Sequence, residues 1–90
     1  GLPADHRLGY NYPNPFNPRT MIPIDLATDA HVDLRVYDMI GREVAVLLDG
    51  MMAAGRSEVP FNATGLASGV YVYVMRAGRV QVARTMMLMR

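Results

Sequence analysis

Along the chain, apolar and polar positions alternate with a period of two in short runs separated by turn residues, and no window carries a capped 3.6-residue period. From His31 to Asp38 the alternation puts Val32, Leu34 and Val36 on one face and Asp33, Arg35 and Tyr37 on the other, which predicts a strand with one dry and one wet side. Asp38-Met39-Ile40-Gly41-Arg42 follows, with Gly41 where a short hairpin loop needs a left-handed residue, and Glu43 to Leu48 reads as the return strand, ended by Asp49-Gly50. Met51 to Gly55 reads as a loop. Arg56 to Phe61 alternates again, and Pro60 marks it as an edge strand or the end of one. Asn62 to Gly65 turns the chain and Leu66-Ala67-Ser68-Gly69 makes a corner. Val70 to Met75, apolar on both faces, fits the middle of a sheet. Arg76-Ala77-Gly78-Arg79 reverses the chain at Gly78, and Val80 to Leu88 returns as the final strand.

The segment Asn11-Tyr12-Pro13-Asn14-Pro15-Phe16-Asn17-Pro18 cannot sit in a helix or a central strand, because its prolines fix φ and lack backbone donors. It is predicted as an extended edge strand or a polyproline-like lead-in. With Thr20 to Leu26 it brings the count to about seven strands, spaced by about 8–12 residues. The expectation is an all-β, seven-stranded immunoglobulin-like Greek-key β-sandwich. Tyr71, just after the Leu-x-x-Gly corner ending at Gly69, is similar to the tyrosine corner of such sandwiches; the alternative is an ordinary packed sheet aromatic. Residues 1–9 read as a linker remnant and 10–90 as the single domain.

Composition narrows the function. At 90 residues the chain holds one core, and no stretch approaches the ~20 apolar residues needed to cross a bilayer as a helix, so no membrane insertion is expected. A net charge of +1, with the Arg residues spread along the chain, argues against nucleic acid as a partner. Without cysteine there is neither a disulfide framework nor a thiolate site. The first residue is Gly, which is expected of a piece excised from a longer protein.

Candidate chemistry is thin. A hydrolase needs a nucleophile beside a base, but Ser57 lies in strand alternation, Ser68 in a corner, His6 in the linker and His31 at the mouth of a strand. Glu43 and Glu58 sit on separate strands beside Arg, reading as mixed surface charge rather than a glycosidase pair. Asp25, Asp29 and Asp33 are spaced by four but lack the glycine and bidentate glutamate of a calcium loop. Asn62-Ala63-Thr64 fits a glycosylation sequon and, equally, a turn. Met86, Met87 and Met89 offer soft ligands or an adaptable surface, but core filling is the simpler role. No catalytic, cofactor or metal residue is assigned.

Five elements in order carry a resemblance: Asn11 to Pro18 followed by Thr20-Met21-Ile22; Val36 to Val44; Ala54 to Arg56; Leu66 to Tyr71; and the hydrophobic basic tail Arg84 to Arg90. Together they resemble the C-terminal sorting domain of type IX secretion, which is related to immunoglobulin-like hook-capping domains. Where that family often carries Lys before the last hydrophobic run, this chain has Thr85, with Arg84 beside it. A shift of one residue in a strand turns a side chain to the other face.

The resemblance implies a non-catalytic address, covalently part of a larger exported protein. The outer-membrane translocon would recognise it, and the attachment machinery would receive the carrier, by way of the periplasm, at the cell surface or outside. The recognised parts are expected at Asn11, Tyr12, Pro13, Asn14, Pro15 and Phe16, and at Arg84, Met86, Leu88 and Arg90, with Gly41, Gly69, Tyr71 and Gly78 as structural turns. An alternative for the first segment is that Phe16 plugs the sandwich end while the prolines block aggregation. A carbohydrate-binding accessory module of a secreted glycoside hydrolase is the rival function, with Tyr10, Tyr12 and Tyr37 as its only platform. An inert immunoglobulin-like spacer is a third reading.

Overall fold

The computed structural model describes residues 5–90, with no helix among them. The strands are β1 (Arg7–Leu8), β2 (Arg19–Leu26), β3 (Ala30–Tyr37), β4 (Glu43–Met52), β5 (Gly55–Asn62), β6 (Gly69–Ala77) and β7 (Val80–Leu88). They form two antiparallel sheets, ordered β1-β2-β5 and β4-β3-β6-β7. The chain changes sheet after β2, β4 and β5, giving the Greek-key, immunoglobulin-like sandwich that the alternation predicts.

The core forms where the period-two pattern faces inward from both sheets. Ile22, Ile24, Val59 and Phe61 on one side meet Leu34, Val36, Met75 and Leu88 on the other, all buried. Each such side chain contributes about 1.5–3 kcal/mol on burial. β6 occupies the interior of its sheet, between β3 and β7, as its two apolar faces require. Gly78-Arg79 is the two-residue turn to β7, with φ +58° at Gly78 alone, the pattern of a II′ hairpin.

Three expectations are corrected. Part of the linker, residues 1–4, lies outside the described residues, but residues 6–9 belong to the fold. Arg7 and Leu8 pair with Asp25 and Ile24, Leu8 is buried, and His6 Nδ1 accepts the Ala27 N–H at 3.1 Å. β1 stops at Pro23, which accepts the Gly9 N–H at 2.8 Å but has no N–H to return. The proline-rich segment is not a strand: it makes only isolated bridges, Tyr12 to Met21 and Phe16 to Leu88; its Tyr12-Pro13, Asn14-Pro15 and Asn17-Pro18 bonds are cis. Lacking donors at alternate positions, it cannot sustain a ladder. β4 runs through Asp49-Gly50 to Met52, because the ladder to β3 continues as Val32 to Gly50 and His31 to Met51. The turn falls instead at Ala53-Ala54, where Asp29 accepts the Ala54 N–H at 2.8 Å.

The β3–β4 loop is held by Asp38, whose carboxylate accepts the N–H groups of Arg42 and Ile40 and the Arg42 Nε at 2.8 Å. The Arg42 N–H, foremost among these contacts, holds the carboxyl below its ordinary value. A depressed carboxylate contributes its stabilisation above the unfolded value of about 3.9 and loses it as pH falls through the folded one. The Ile40 and Arg42 amide resonances are therefore expected to move together in an acid titration below about pH 4, and Asp38→Asn to abolish that transition. Amide shifts that ignore pH in the parent chain would contradict the assignment.

Candidate functional site

The candidate chemical side chains lie apart. Ser68 Oγ accepts the Arg90 N–H at 3.0 Å, and His31 pairs with Asp49 at 3.1 Å on an exposed face. Arg35 donates to both Asp33 and Glu43, and these bonds, to Asp33 first and then to Glu43, raise its pKa. Glu58 takes the Arg56 Nε and the Tyr12 hydroxyl; that last bond, more than any other influence, raises the Tyr12 pKa. Among the described residues no three His, Asp or Glu side chains converge as metal ligands. Asn62 Oδ1 accepts both the N–H and the hydroxyl of Thr64, closing an Asx turn. Tyr10, Tyr12 and Tyr37 do not share a platform. Tyr10 stacks on Arg84 of β7, Tyr12 bonds to β5 in the other sheet, and Tyr37 faces Glu43 and Val72 within β3's own sheet.

The proline-rich segment and the last strand do come together. From Tyr12, bonded both ways to Met21 at 2.9 Å, the segment passes from the first sheet to the free edge of β7 in the second. There the Phe16 N–H donates to the Met87 carbonyl, the Met89 N–H to the Phe16 carbonyl, and the Met87 N–H to Asn14 Oδ1. Phe16 drives its ring between the sheets, 2% exposed, with its centroid 6.0 Å from that of Phe61. The motif is thus a clasp across the sandwich rim.

Its start is pinned from inside. Tyr73, wholly buried on β6, accepts the Asn11 N–H at 3.0 Å and donates to the Gly9 carbonyl at 2.9 Å. Burial is the main cause that pushes its phenol pKa up. The Asn11 amide donates to Thr20 Oγ1, and Thr20 in turn to the Pro13 carbonyl. Arg84 Nε donates to the Leu8 carbonyl at 2.8 Å, with the guanidinium 4.1 Å from the centre of the Tyr10 ring.

Of the residues expected to be recognised, Asn11, Phe16, Met86 and Leu88 are buried, whereas Tyr12, Pro13, Asn14, Pro15 and Arg90 are exposed and Arg84 partly so. Arg84 faces inward beside Tyr73 while Thr85 faces outward with Val72. Arg90 also donates to the Ala63 carbonyl at 3.2 Å. Gly41 and Gly69 have positive φ, and Tyr71 donates its hydroxyl to the Ala67 carbonyl at 2.6 Å, completing a tyrosine corner. Tyr73, Leu8 and Gly9 are absent from the sequence-based set, and Tyr10 enters it only as a glycan platform. The available signal is that two tyrosines spaced by two share one face, and a buried phenol needs a partner.

The family description that matches this chain, over residues 11–89, is the secretion system C-terminal sorting domain. The chain belongs to that family. No curated protein and no solved structure gives a match. The match spans the clasp, the tyrosine corner and β7 in one piece. A sorting domain of this family is a type IX secretion signal and not a catalytic module; it is carried by a larger exported protein and directs export to the cell surface or outside.

Proposed function

We propose that the type IX outer-membrane translocon reads this domain as a folded label, without any chemistry of its own, and moves a covalently attached carrier from the periplasm to the surface, where attachment machinery receives it. The observation that carries the reading is the clasp. The Asn14 side-chain oxygen and the Phe16 backbone hold Met87 and Met89, so two segments within the family match form one surface element. A receptor that adds to a strand edge or grips its end needs a fixed edge and alternate side chains, not a catalytic group. The exposed side chains Tyr12, Pro13, Asn14, Pro15, Arg84 and Arg90 are the contacts in this reading, and the buried Asn11, Phe16, Met86 and Leu88 hold them in place.

The test fuses the 90 residues to the C-terminus of a periplasmic reporter in a type IX-competent cell. The reporter is expected in the medium or on the surface. A fusion that is protease-resistant, hence folded, yet remains in the periplasm would overturn the reading.

A further inference from the structure

Charge is segregated along this chain. All eight carboxylate side chains lie within residues 1–58 with five of the Arg, leaving −3; residues 59–90 hold the other four Arg and no acid, leaving +4, and together these make the chain's +1. Those four, Arg76, Arg79, Arg84 and Arg90, lie on or beside β6 and β7. None is within ion-pair distance of a carboxylate among the described residues, whereas Arg35, Arg42 and Arg56 all are. Arg76 Nε donates to Gln81 Oε1 and Arg90 to the Ala63 carbonyl; of Arg84, which stacks on Tyr10, the Nε donates to Leu8 while the two terminal nitrogens have no hydrogen-bond partner among the described residues.

The sheet edges differ in how open they are. β5 is interrupted by Pro60, and β1 is two residues long. β4 carries register shifts that insert Leu47 and Val44 as extra residues, and bulges of this kind spoil an edge for pairing. β7 has neither proline nor bulge and pairs with β6 over nine consecutive residues. Met87 directs its N–H and C=O away from β6, toward Asn14 and Phe16. By the period of two, Gln81, Ala83 and Thr85 direct theirs the same way, ahead of the clasp and with no backbone partner there among the described residues. Beside them lies an open cavity of about 300 Å³ lined by Tyr10, Val72, Ala83, Arg84 and Thr85.

We infer that the open edge of β7 from Gln81 to Thr85 is a docking strip for an extended acidic segment of another protein, which adds to the sheet as a further strand. The inference rests on the reading of the domain as an address and names the chemistry of what grips it. Backbone groups of the three outward residues supply the pairing, and the unpaired Arg, at the turn, mid-strand and tail, select acidic side chains over basic ones. A second copy of this chain is a poorer occupant, since the acidic edge it offers, β4, is the bulged one.

The probe is a capped Glu-Val-Asp-Val-Glu peptide against the 15N-labelled 90-residue chain, with the Lys-for-acid peptide as comparison. The acidic peptide is expected to shift and protect the amides of Gln81, Ala83 and Thr85, to bind about tenfold more tightly than its Lys counterpart, and to lose that advantage near 1 M salt. Ala83→Pro removes an outward N–H that β6 does not use, so it is expected to abolish peptide binding while melting close to the parent. Silent amides, equal affinity for the Lys peptide, or shifts that depend on protein concentration without peptide, marking a second copy, each overturn the strip. In the reporter assay, a parent fusion left in the periplasm refutes the sorting reading itself. Parent and Ala83→Pro fusions exported equally refute the strip alone.

Discussion

Replacing Phe16 with alanine is expected to destabilise the domain by about 3–5 kcal/mol, the usual range for deleting a buried phenyl ring. The ring is 2% exposed and tilted against Phe61, and its own backbone bonds both Met87 and Met89. The rim cannot collapse over the gap without pulling that backbone off β7, so relaxation offers little relief. Against a total stability of roughly 5–15 kcal/mol, the loss leaves a domain that is marginal or unfolded. Urea denaturation followed by far-UV circular dichroism measures it, with Tyr12→Phe, which removes one exposed hydroxyl from the same segment, expected within about 1 kcal/mol of the parent. The pair separates the two roles of the motif. A Phe16→Ala fusion lost from export with its fold, beside a Tyr12→Phe fusion that folds but is exported poorly, would divide the segment into plug and contact. A Phe16→Ala domain as stable as the parent would show that the ring is not a plug.

Period-two alternation was enough to locate β3, β5, β6 and β7 because each has one face that must be dry, and a one-residue slip would put Val36 or Val59 into water. Turn chemistry, by contrast, places the end of β4 too early. Asp49-Gly50 is turn chemistry in isolation, but Gly50 pairs with Val32, and Asp49 finds His31 and the edge of Arg35's charge on the exposed face, so tertiary pairing outweighs local preference. Leu8 shows the opposite failure: a lone buried residue among polar neighbours has no period to read, and only the sheet it joins reveals it. At the candidate site, the sequence marks two segments but not that they touch. Contact between Phe16 and Leu88 spans nearly the whole chain, and no local pattern encodes it. Nor did it divide buried from exposed members of the motif, because the segment is too irregular for alternation to assign faces.

Tyr73→Phe, a change of one oxygen, is expected to be the second-largest effect, about 2–3 kcal/mol, although it alters no packing volume. The hydroxyl is both acceptor for the Asn11 N–H and donor to the Gly9 carbonyl. Its loss strands two main-chain groups at once. Asn11 is buried, so its N–H bears the full penalty of an unmade bond, whereas Gly9 is half-exposed and its carbonyl regains water. For a domain of this size, each kcal/mol lowers the melting temperature by about 4–8 °C, so a fall of about 10–20 °C is expected in a thermal scan. Amide exchange then distinguishes a local from a global effect. The Asn11 amide should lose protection outright, while Leu34 and Met75, deep in the sheet, slow-exchange only as far as the lower global stability allows. Since the clasp begins at this phenol, Asn14 and Phe16 would be held at β7 from one end only. Tyr71→Phe provides the comparison: its hydroxyl ties only the Ala67 carbonyl in an exposed corner, so its effect should be the smaller. An Asn11 amide as protected in Tyr73→Phe as in the parent would mean that the clasp is pinned elsewhere.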